Sequence, residues 1–364
     1  MSLTRRIAKN AQNLSFPTAK FNYLRHHFMK PIVDIFPLLT AKPVQVVITM
    51  HQKPDPDALG SSLGLYHFLT SLGHAVTVVS PTNWASFLNW MPGADKVIDF
   101  EYRRADAEAA LQKAEWLFCL DFNTLSRTKH MAPIIAGLSC VKILIDHHEQ
   151  PEESAFTYGI SQTGKSSTSE MVYDFIVVSG HGSAINIPIA ECLYAGVIGD
   201  TGSFRFPITT ASVHTMVAHL KETGFKHTQV HENIYDNFLE NRLRFIGMAL
   251  MHRMEIMYEY NTALIAISKG DLLKYDIKTG DTEGLVNYPL TIQGIKMAAI
   301  VIDRDEERKW SFRSKGAFDT NTFARTYFNG GGHYNASGGR SLDSLDKTVQ
   351  KFKQAVKENA SLLQ

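Results

Sequence analysis

The sequence has little of what usually assigns a protein quickly. It holds three cysteines, Cys119, Cys140 and Cys192, far apart and without paired spacing. Cys119 and Cys140 fall in apolar runs. All three read as small buried hydrophobes in a reducing compartment, which argues against a disulfide framework. No apolar run reaches the roughly 18 residues of a membrane span. The N-terminal charges are not followed by an apolar h-region, so no signal peptide is expected and the cytoplasm follows by default. Excess charge is also missing: the formal net charge is +1. That argues against coating long duplex nucleic acid, which calls for a broad basic face, but it leaves room for a small anion in a local basic pocket. No internal repeat or low-complexity segment stands out.

What is present reads as a soluble, globular chain. Its 364 residues, 44% hydrophobic and 20% charged, are enough for two domains of ordinary size. Residues 1–42 are locally basic, with Arg5, Arg6, Lys9, Lys20, Arg25, Lys30 and Lys42 against Asp34. A surface helix packed by Phe21, Leu24, Phe28 and Ile32 is the preferred reading, with a nucleic-acid arm as the alternative.

The first half alternates strand and helix. Val44–Met50, Trp116–Leu120 and Val141–Ile145 are continuous apolar runs of the kind found in buried parallel strands. Val76–Ser80 and Lys96–Phe100 are shorter strand candidates. Helices are expected at Asp57–Leu72, Ala105–Lys113, Ser166–Ser179 and Ile189–Ile198. The alternation predicts an α/β fold with an open, mainly parallel sheet, whose ligands sit beyond the carboxyl ends of the strands. Thr209–Gly224 and Thr228–Tyr258 read as mostly helical, the second as a connector. From Ala263 a smaller α/β domain is expected across a cleft. Its strands are Ala263–Ser268, Lys296–Asp303 and Lys309–Lys315, and its helices Thr320–Phe328 and Ser344–Ala360. The expected divisions are a helical extension (1–40), a metal-binding catalytic domain (41–225), a helical linker (226–260) and a substrate-binding domain (261–364).

Four acidic or histidine clusters fall where strands or a helix run out: His51, Asp55 and Asp57; Asp121; Asp146, His147 and His148; and Asp200. Singly, each has a plain explanation, such as a helix cap or a turn. Together, on one sheet edge, they would gather carboxylates that repel one another unless divalent cations compensate. Carboxylate and imidazole ligands suit manganese, iron, cobalt or zinc, and the absence of thiolate argues against a structural zinc site. Two such ions clamp the attacking and leaving oxygens of a phosphoryl group, so phosphate ester hydrolysis is the reaction this set best serves.

His51-x-x-Pro54-Asp55-x-Asp57-x-x-Gly60-Ser61, Asp121, Asp146-His147-His148 and Asp200-Thr201-Gly202 resemble the four ordered motifs of DHH phosphoesterases. Gly330-Gly331-Gly332-His333, with Ala336, Gly338 and Gly339, resembles the glycine-rich signature of the DHH-associated C-terminal domain, and Phe312-Arg313-Ser314 its arginine strand. The resemblance runs from about Val44 to the C-terminus. The nearest subgroup is the bacterial nanoRNase/pAp phosphatases.

The resemblance implies two divalent ions, expected to be manganese. His51, Asp55 and Asp121 would hold one; Asp57, Asp121, His147 and Asp200 the other, with Asp121 as the bridge. Asp146 would orient an imidazole ligand, and His148 would serve as a donor to phosphate or to the leaving oxygen. Arg313 would grip a phosphate, with Ser314, Gly331, Gly332 and His333 beside it. Period-two alternation along that strand puts Trp310, Phe312 and Ser314 on one face and Ser311, Arg313 and Lys315 on the other. Arg127 is a further candidate. A phosphate at the helix N-terminus Ser166-Ser167-Thr168 is conceivable, although N-capping explains that sequence more simply. Trp310, Phe312, Tyr327, Phe328 and Tyr334 supply aromatics, some for base stacking and most for the core.

The expected activity is hydrolysis of short oligoribonucleotides, of 3′-phosphoadenosine 5′-phosphate (pAp), or both. The expected partner is a small nucleotide or short single-stranded RNA or DNA, with no membrane involved and a homodimer left open. The enzymatic alternatives are a linear-dinucleotide (pGpG-type) or polyphosphate hydrolase. The alternative of another class is a non-catalytic nucleotide-binding module, which would be expected to have lost ligand residues.

Overall fold

The computed structural model describes residues 29–278, 280–304 and 306–364. Phe21, Leu24 and Phe28, with the rest of the basic segment up to residue 28, lie outside the described residues. The part of the expected N-terminal helix that is described departs from expectation. Lys30–Pro31 (β1) is an edge strand, and Ile32–Leu38 is a 3-10 helix carrying Pro37. The two prolines, each lacking an N–H, disfavour a regular α-helix here.

The first sheet has seven strands: β1, Gln45–Thr49 (β2), Ala75–Ser80 (β3), Ile98–Asp99 (β4), Trp116–Leu120 (β5), Val141–Asp146 (β6) and Tyr158–Ser161 (β7). Their order is β1-β7-β6-β5-β2-β3-β4, and every pairing is parallel. All five residues of β5 are buried, as expected of a central parallel strand covered on both faces. Side-chain alternation divides the core. Val46, Ile48, Phe118, Leu120, Ile143 and Ile145 meet the helices Pro56–Ser71, Thr168–Val178 and Ile187–Asp200 on one face. Val47, Leu117, Cys119 and Leu144 meet Ala107, Leu111 and Ile135 on the other.

From β2 the chain builds outward through β3 to β4. It then returns to place β5 on the opposite side of β2. This reversal of direction opens a crevice at the carboxyl ends of β2 and β5, where open α/β sheets bind ligands. His51 follows β2, and Asp121 follows β5.

The second sheet is mixed. Its strands are Met254–Met257 (β8), Thr262–Ile267 (β9), Met297–Asp303 (β10), Arg308–Ser314 (β11), Gly331–His333 (β12) and Ala336–Ser341 (β13), in the order β12-β13-β11-β10-β9-β8. Phe323, Phe328 and Phe352 pack with Trp310 and Phe312 on one face, while Phe245, Ile246 and Ala249 pack with Ile265, Ala298 and Ile300 on the other.

The helical reading of Thr228–Tyr258 needs correction. The stretch divides into the helices His227–Tyr235 and Glu240–His252, followed by strand β8. Val230 and Ile234 of the first helix belong to the core of the first sheet, and Phe245, Ile246 and Ala249 of the second belong to that of the second sheet. Packing against two separate cores breaks the helix between them. The apolar Met254, Ile256 and Met257 fit an edge strand as well as a helical turn, and pairing with β9 decides the outcome. Among the described residues, no helix is long and apolar enough to cross a membrane.

Candidate active site and metal centre

The crevice gathers side chains from five stretches of the first domain. His51 directs Nδ1 at the carbonyl of Gln52, 2.8 Å away. That contact places the ring proton on Nδ1 and leaves the Nε2 lone pair facing carboxylates: Asp121 Oδ2 at 3.3 Å and Asp55 Oδ2 at 3.6 Å. His147 repeats the pattern. Its Nδ1 lies 3.3 Å from the Lys165 carbonyl, and its Nε2 is 3.3 Å from Asp200 Oδ2, 3.4 Å from Asp121 Oδ1 and 3.9 Å from Asp57 Oδ2. The Nε2 atom is buried and, among the described residues, has no hydrogen-bond partner. A buried lone pair aimed at three carboxylates needs a positive charge among them, as metal-binding imidazoles have. Two sets, His51 with Asp55 and Asp121, and Asp57 with His147 and Asp200, each bring their ligand atoms within 4.8 Å of one another. Asp121 turns one oxygen to each imidazole, so the two sets adjoin across a single carboxylate.

Local structure explains how such a crowd of charge is held. Asp55 caps the helix Pro56–Ser71, its Oδ1 accepting from the Asp57 and Ala58 amides at 3.0 Å each. Oδ2 is left for the His51 side. Asp57 sits at the first turn of that helix and receives the Thr168 and Ser169 amides at 2.6 and 2.8 Å. The N-terminus of the helix Thr168–Val178 is therefore taken by a carboxylate of the protein, with its dipole favouring the charge. Ser167 caps it through the Glu170 amide. No amide of that first turn is left for the phosphate weighed at this position. Thr168 Oγ1 donates to Asp121 Oδ1 at 3.0 Å. Asp121 itself has φ 63, a left-handed backbone that turns it off the end of β5. Asp200 is the last residue of its helix and, like Asp55, is partly open, with its side chain 25% exposed against 36% for Asp55.

Proton affinities record the same imbalance. Burial works against the charged form of His51, but Asp121 and Asp55 outweigh it and hold the ring up to about 10. Burial also opposes a charge on His147, and Asp121 with Asp200 raises it well above the ordinary range. Burial and the neighbouring Asp121 and Asp200 push Asp57 up. Each of these groups leans toward taking a proton, which substitutes for the missing positive charge.

The Asp146–His148 relation differs from expectation. Asp146 orients His148 and not the presumed ligand His147: its Oδ1 lies 2.7 Å from His148 Nδ1, and its Oδ2 accepts the His148 amide at 3.2 Å. His148 therefore keeps its proton on Nδ1 and turns Nε2 away from Asp146. The two rings nonetheless stay in edge-to-face contact, with centroids 4.9 Å apart.

The second domain closes over this floor. His333 stacks on His148 with ring centroids 4.6 Å apart and lies 4.7 Å from His147. Burial and these two rings push its pKa down to about 3, so it remains neutral. Arg313 donates to its own strand's Phe312 carbonyl, and the carboxylates of Glu283 and Asp200 lie near enough to act on its charge. The alternation along β11 is as read, with Trp310, Phe312 and Ser314 buried. Ser314 consequently faces away from the cleft: its hydroxyl donates to Phe318 O at 2.7 Å and accepts from Asn335 Nδ2 at 2.7 Å. This corrects its expected place beside Arg313, because neighbours on a strand face opposite ways. Of the five aromatics, Trp310, Phe312 and Phe328 are core, while Tyr334 is exposed.

The glycine run is not the loop its composition suggests. Gly331–His333 is a strand, paired to β13. A Cβ on Gly330 would stand 1.9 Å from the Gly338 carbonyl, so glycine is required there by close backbone packing. The Gly332 amide is bonded to Asn321 Oδ1 at 3.0 Å, which removes it as a free anion donor.

Two roles at the site were not foreseen. Thr168, weighed earlier only as part of a helix N-terminus, donates to the shared Asp121. Asn321 has the other: its Nδ2 donates to Glu149 Oε2 of the first domain at 2.9 Å, while its Oδ1 holds Gly332. It ties the strand carrying His333 to the loop carrying His148. Asn321→Ala would leave the Gly332 amide and Glu149 without partners. It is expected to cost about 1–3 kcal/mol and to lower kcat/KM, with bound metal unchanged. Thermal melting, steady-state kinetics and metal analysis check this.

Residues 45–197 match the model described as DHH family, N-terminal domain, and residues 261–360 match the DHHA1 domain. The chain is 29% identical over 317 residues to the bifunctional oligoribonuclease and PAP phosphatase NrnA of Bacillus subtilis (strain 168), covering 86% of this chain and 95% of that one. It is 30% identical over 317 residues to a probable NrnA of the same description from Streptococcus mutans serotype c, with the same two coverages. A crystal structure of an exopolyphosphatase-related protein from Bacteroides fragilis matches with a TM-score of 0.86 and 37% identity, over 91% of this chain and 97% of that one. The likeness runs through both domains, and so does the histidine, carboxylate and arginine framework described above. The chain belongs to the DHH family, with a DHHA1 domain after the DHH domain, and is a metal-dependent phosphoesterase.

Proposed function

We propose that the protein removes single nucleotides from very short RNA and the 3′-phosphate from pAp, using two divalent cations, with manganese the expected metal. The observation that carries the metal assignment is the buried, partnerless Nε2 of His147 among Asp57, Asp121 and Asp200. The substrate class is supported by relatives named as oligoribonuclease and PAP phosphatase. In this reading His51, Asp55 and Asp121 hold one ion, and Asp57, Asp121, His147 and Asp200 hold the other. Cations bound there would neutralise the phosphoryl oxygens and make water nucleophilic near neutral pH.

The chain's own side chains do the rest. His148, held by Asp146 through Nδ1, turns Nε2 to the substrate, where it donates to the phosphate or to the departing oxygen only when the ring carries a second proton. Neutral His333 stacks beside it and donates to a terminal phosphate or a base. Arg313 grips a non-scissile phosphate from the opposite wall, and Gly331 lets the substrate approach the backbone closely. Arg127 adds positive charge near His51 and His333. The cytoplasm, and a homodimer as assembly, complete the proposal.

Arg313→Ala is expected to raise KM by about 10- to 100-fold, the loss of one charge-assisted contact, with metal content intact. A substrate panel with added manganese tests the function itself: pAp, dinucleotides, pentanucleotides, pGpG and polyphosphate. Turnover of pAp and the shorter RNAs is expected. Polyphosphate cleavage with pAp and RNA untouched would instead favour the reading suggested by the exopolyphosphatase-related relative.

A further inference from the structure

Beside the metal centre, the first domain has an open groove of about 860 Å³ that begins at His148 and runs between the loop after β6 and the segment after β7. Its size falls within the roughly 300–1,000 Å³ of small-molecule sites. We propose that this groove seats the second nucleoside of the substrate, the one attached to the far side of the scissile phosphate, and so separates diester from monoester substrates. The proposal rests on the nucleotide reading above and goes further by assigning a subsite to the first domain.

The chemistry of the lining points to an uncharged guest. Gln150, Gln162 and Thr163 offer amides and a hydroxyl to it, and among the described residues none of these three side chains has a protein hydrogen bond. Such groups match the donor and acceptor edges of a base and the hydroxyls of a ribose. Phosphate would call for a free cation. The groove's lysine, Lys165, is committed elsewhere, 3.0 Å from Glu170 and 2.6 Å from Asp174. Glu153, also in the lining, would repel a further phosphate, which suits a substrate ending within one or two nucleotides.

The backbone supports a built position. Gln150 is exposed and has φ 57, a left-handed conformation that a glutamine adopts at a cost. The turn is held on both sides: Asn123 Nδ2 donates to the Glu149 carbonyl at 2.6 Å, and the Glu152 amide donates to the Asn123 carbonyl at 2.8 Å. His148 belongs to both groove and catalytic floor, so a phosphate beside it has its far-side substituent at the groove mouth.

A monoester such as pAp carries no nucleoside beyond its scissile phosphate, whereas a dinucleotide does. The test is therefore kcat/KM of the full chain with manganese on pApA and on pAp, for wild type, Gln150→Ala/Gln162→Ala and Thr163→Trp. Loss of two neutral contacts is expected to lower kcat/KM on pApA about tenfold through KM, with pAp unchanged within about twofold. Obstructing the groove with Trp at position 163 should give the same pattern. An equal fall on both substrates, or no fall on pApA in either variant, overturns the subsite. If wild type cleaves pAp but not pApA, the groove assignment falls alone. If it cleaves neither, the nucleotide reading falls and takes the subsite with it.

Discussion

Asp121→Ala is expected to lower kcat by about 10⁴-fold or more, which corresponds to some 5 kcal/mol of lost transition-state stabilisation. The other carboxylates of the site each face one imidazole set, but Asp121 serves both. Oδ2 lies 3.3 Å from His51 Nε2, and Oδ1 lies 3.4 Å from His147 Nε2. Deleting it opens both sets together and leaves Thr168 Oγ1 without its acceptor. Metal content should fall along with turnover. Elemental analysis of the dialysed variant beside its kinetics decides the matter, and unchanged metal stoichiometry would remove Asp121 from the shared position.

Gly196→Ala is expected to lose stability, against the trend of helix propensity, and to lose activity with it. In a helix interior, alanine is ordinarily better than glycine by about 1 kcal/mol. Here the added Cβ would lie 2.0 Å from Ser169 Oγ, 2.8 Å from Ser169 Cβ and 2.7 Å from Asp57 Oδ1. Turning the serine hydroxyl aside leaves the Cβ clash in place, so backbone must move. Overpacking of this kind costs about 1–3 kcal/mol, and the group displaced is Asp57. That carboxylate ties the helix Pro56–Ser71 to the amides of Thr168 and Ser169. The expected outcome is a lower Tm and weaker metal-induced stabilisation, with kcat/KM down by about 100-fold or more if Asp57 leaves its place. Melting curves with and without manganese check it. A raised Tm would mean that propensity governs and that the helix contact has room.

Both positions show how much the sequence made legible. The strands of the first sheet were readable because a buried parallel strand is a continuous apolar run, as Trp116–Leu120 shows. The residues that meet at the crevice were readable because polar residues at strand ends stand out against such runs. Helix ends and side-chain partners were less visible. Asp200 ends its helix where the sequence suggested a following turn, and Asp146 serves His148 and not its neighbour. Gly196 sits inside an apolar helix, where nothing local marks a glycine as necessary. Only the closeness of Ser169 and Asp57, both distant in sequence, requires it. The glycine run before His333 has the composition of a loop, yet pairing with Gly338 and Ser337 makes it a strand. Ser314 was placed beside Arg313 by its motif, although alternation along the same strand already put the two on opposite faces.

The central claim is that two cations lie on either side of Asp121. Anomalous diffraction from crystals grown with manganese tests it most directly. The account predicts two peaks that share Asp121, one beside His51 and Asp55 and the other beside Asp57, His147 and Asp200. A fully occupied protein with a single peak, or with its peaks at His148 and His333, would contradict it.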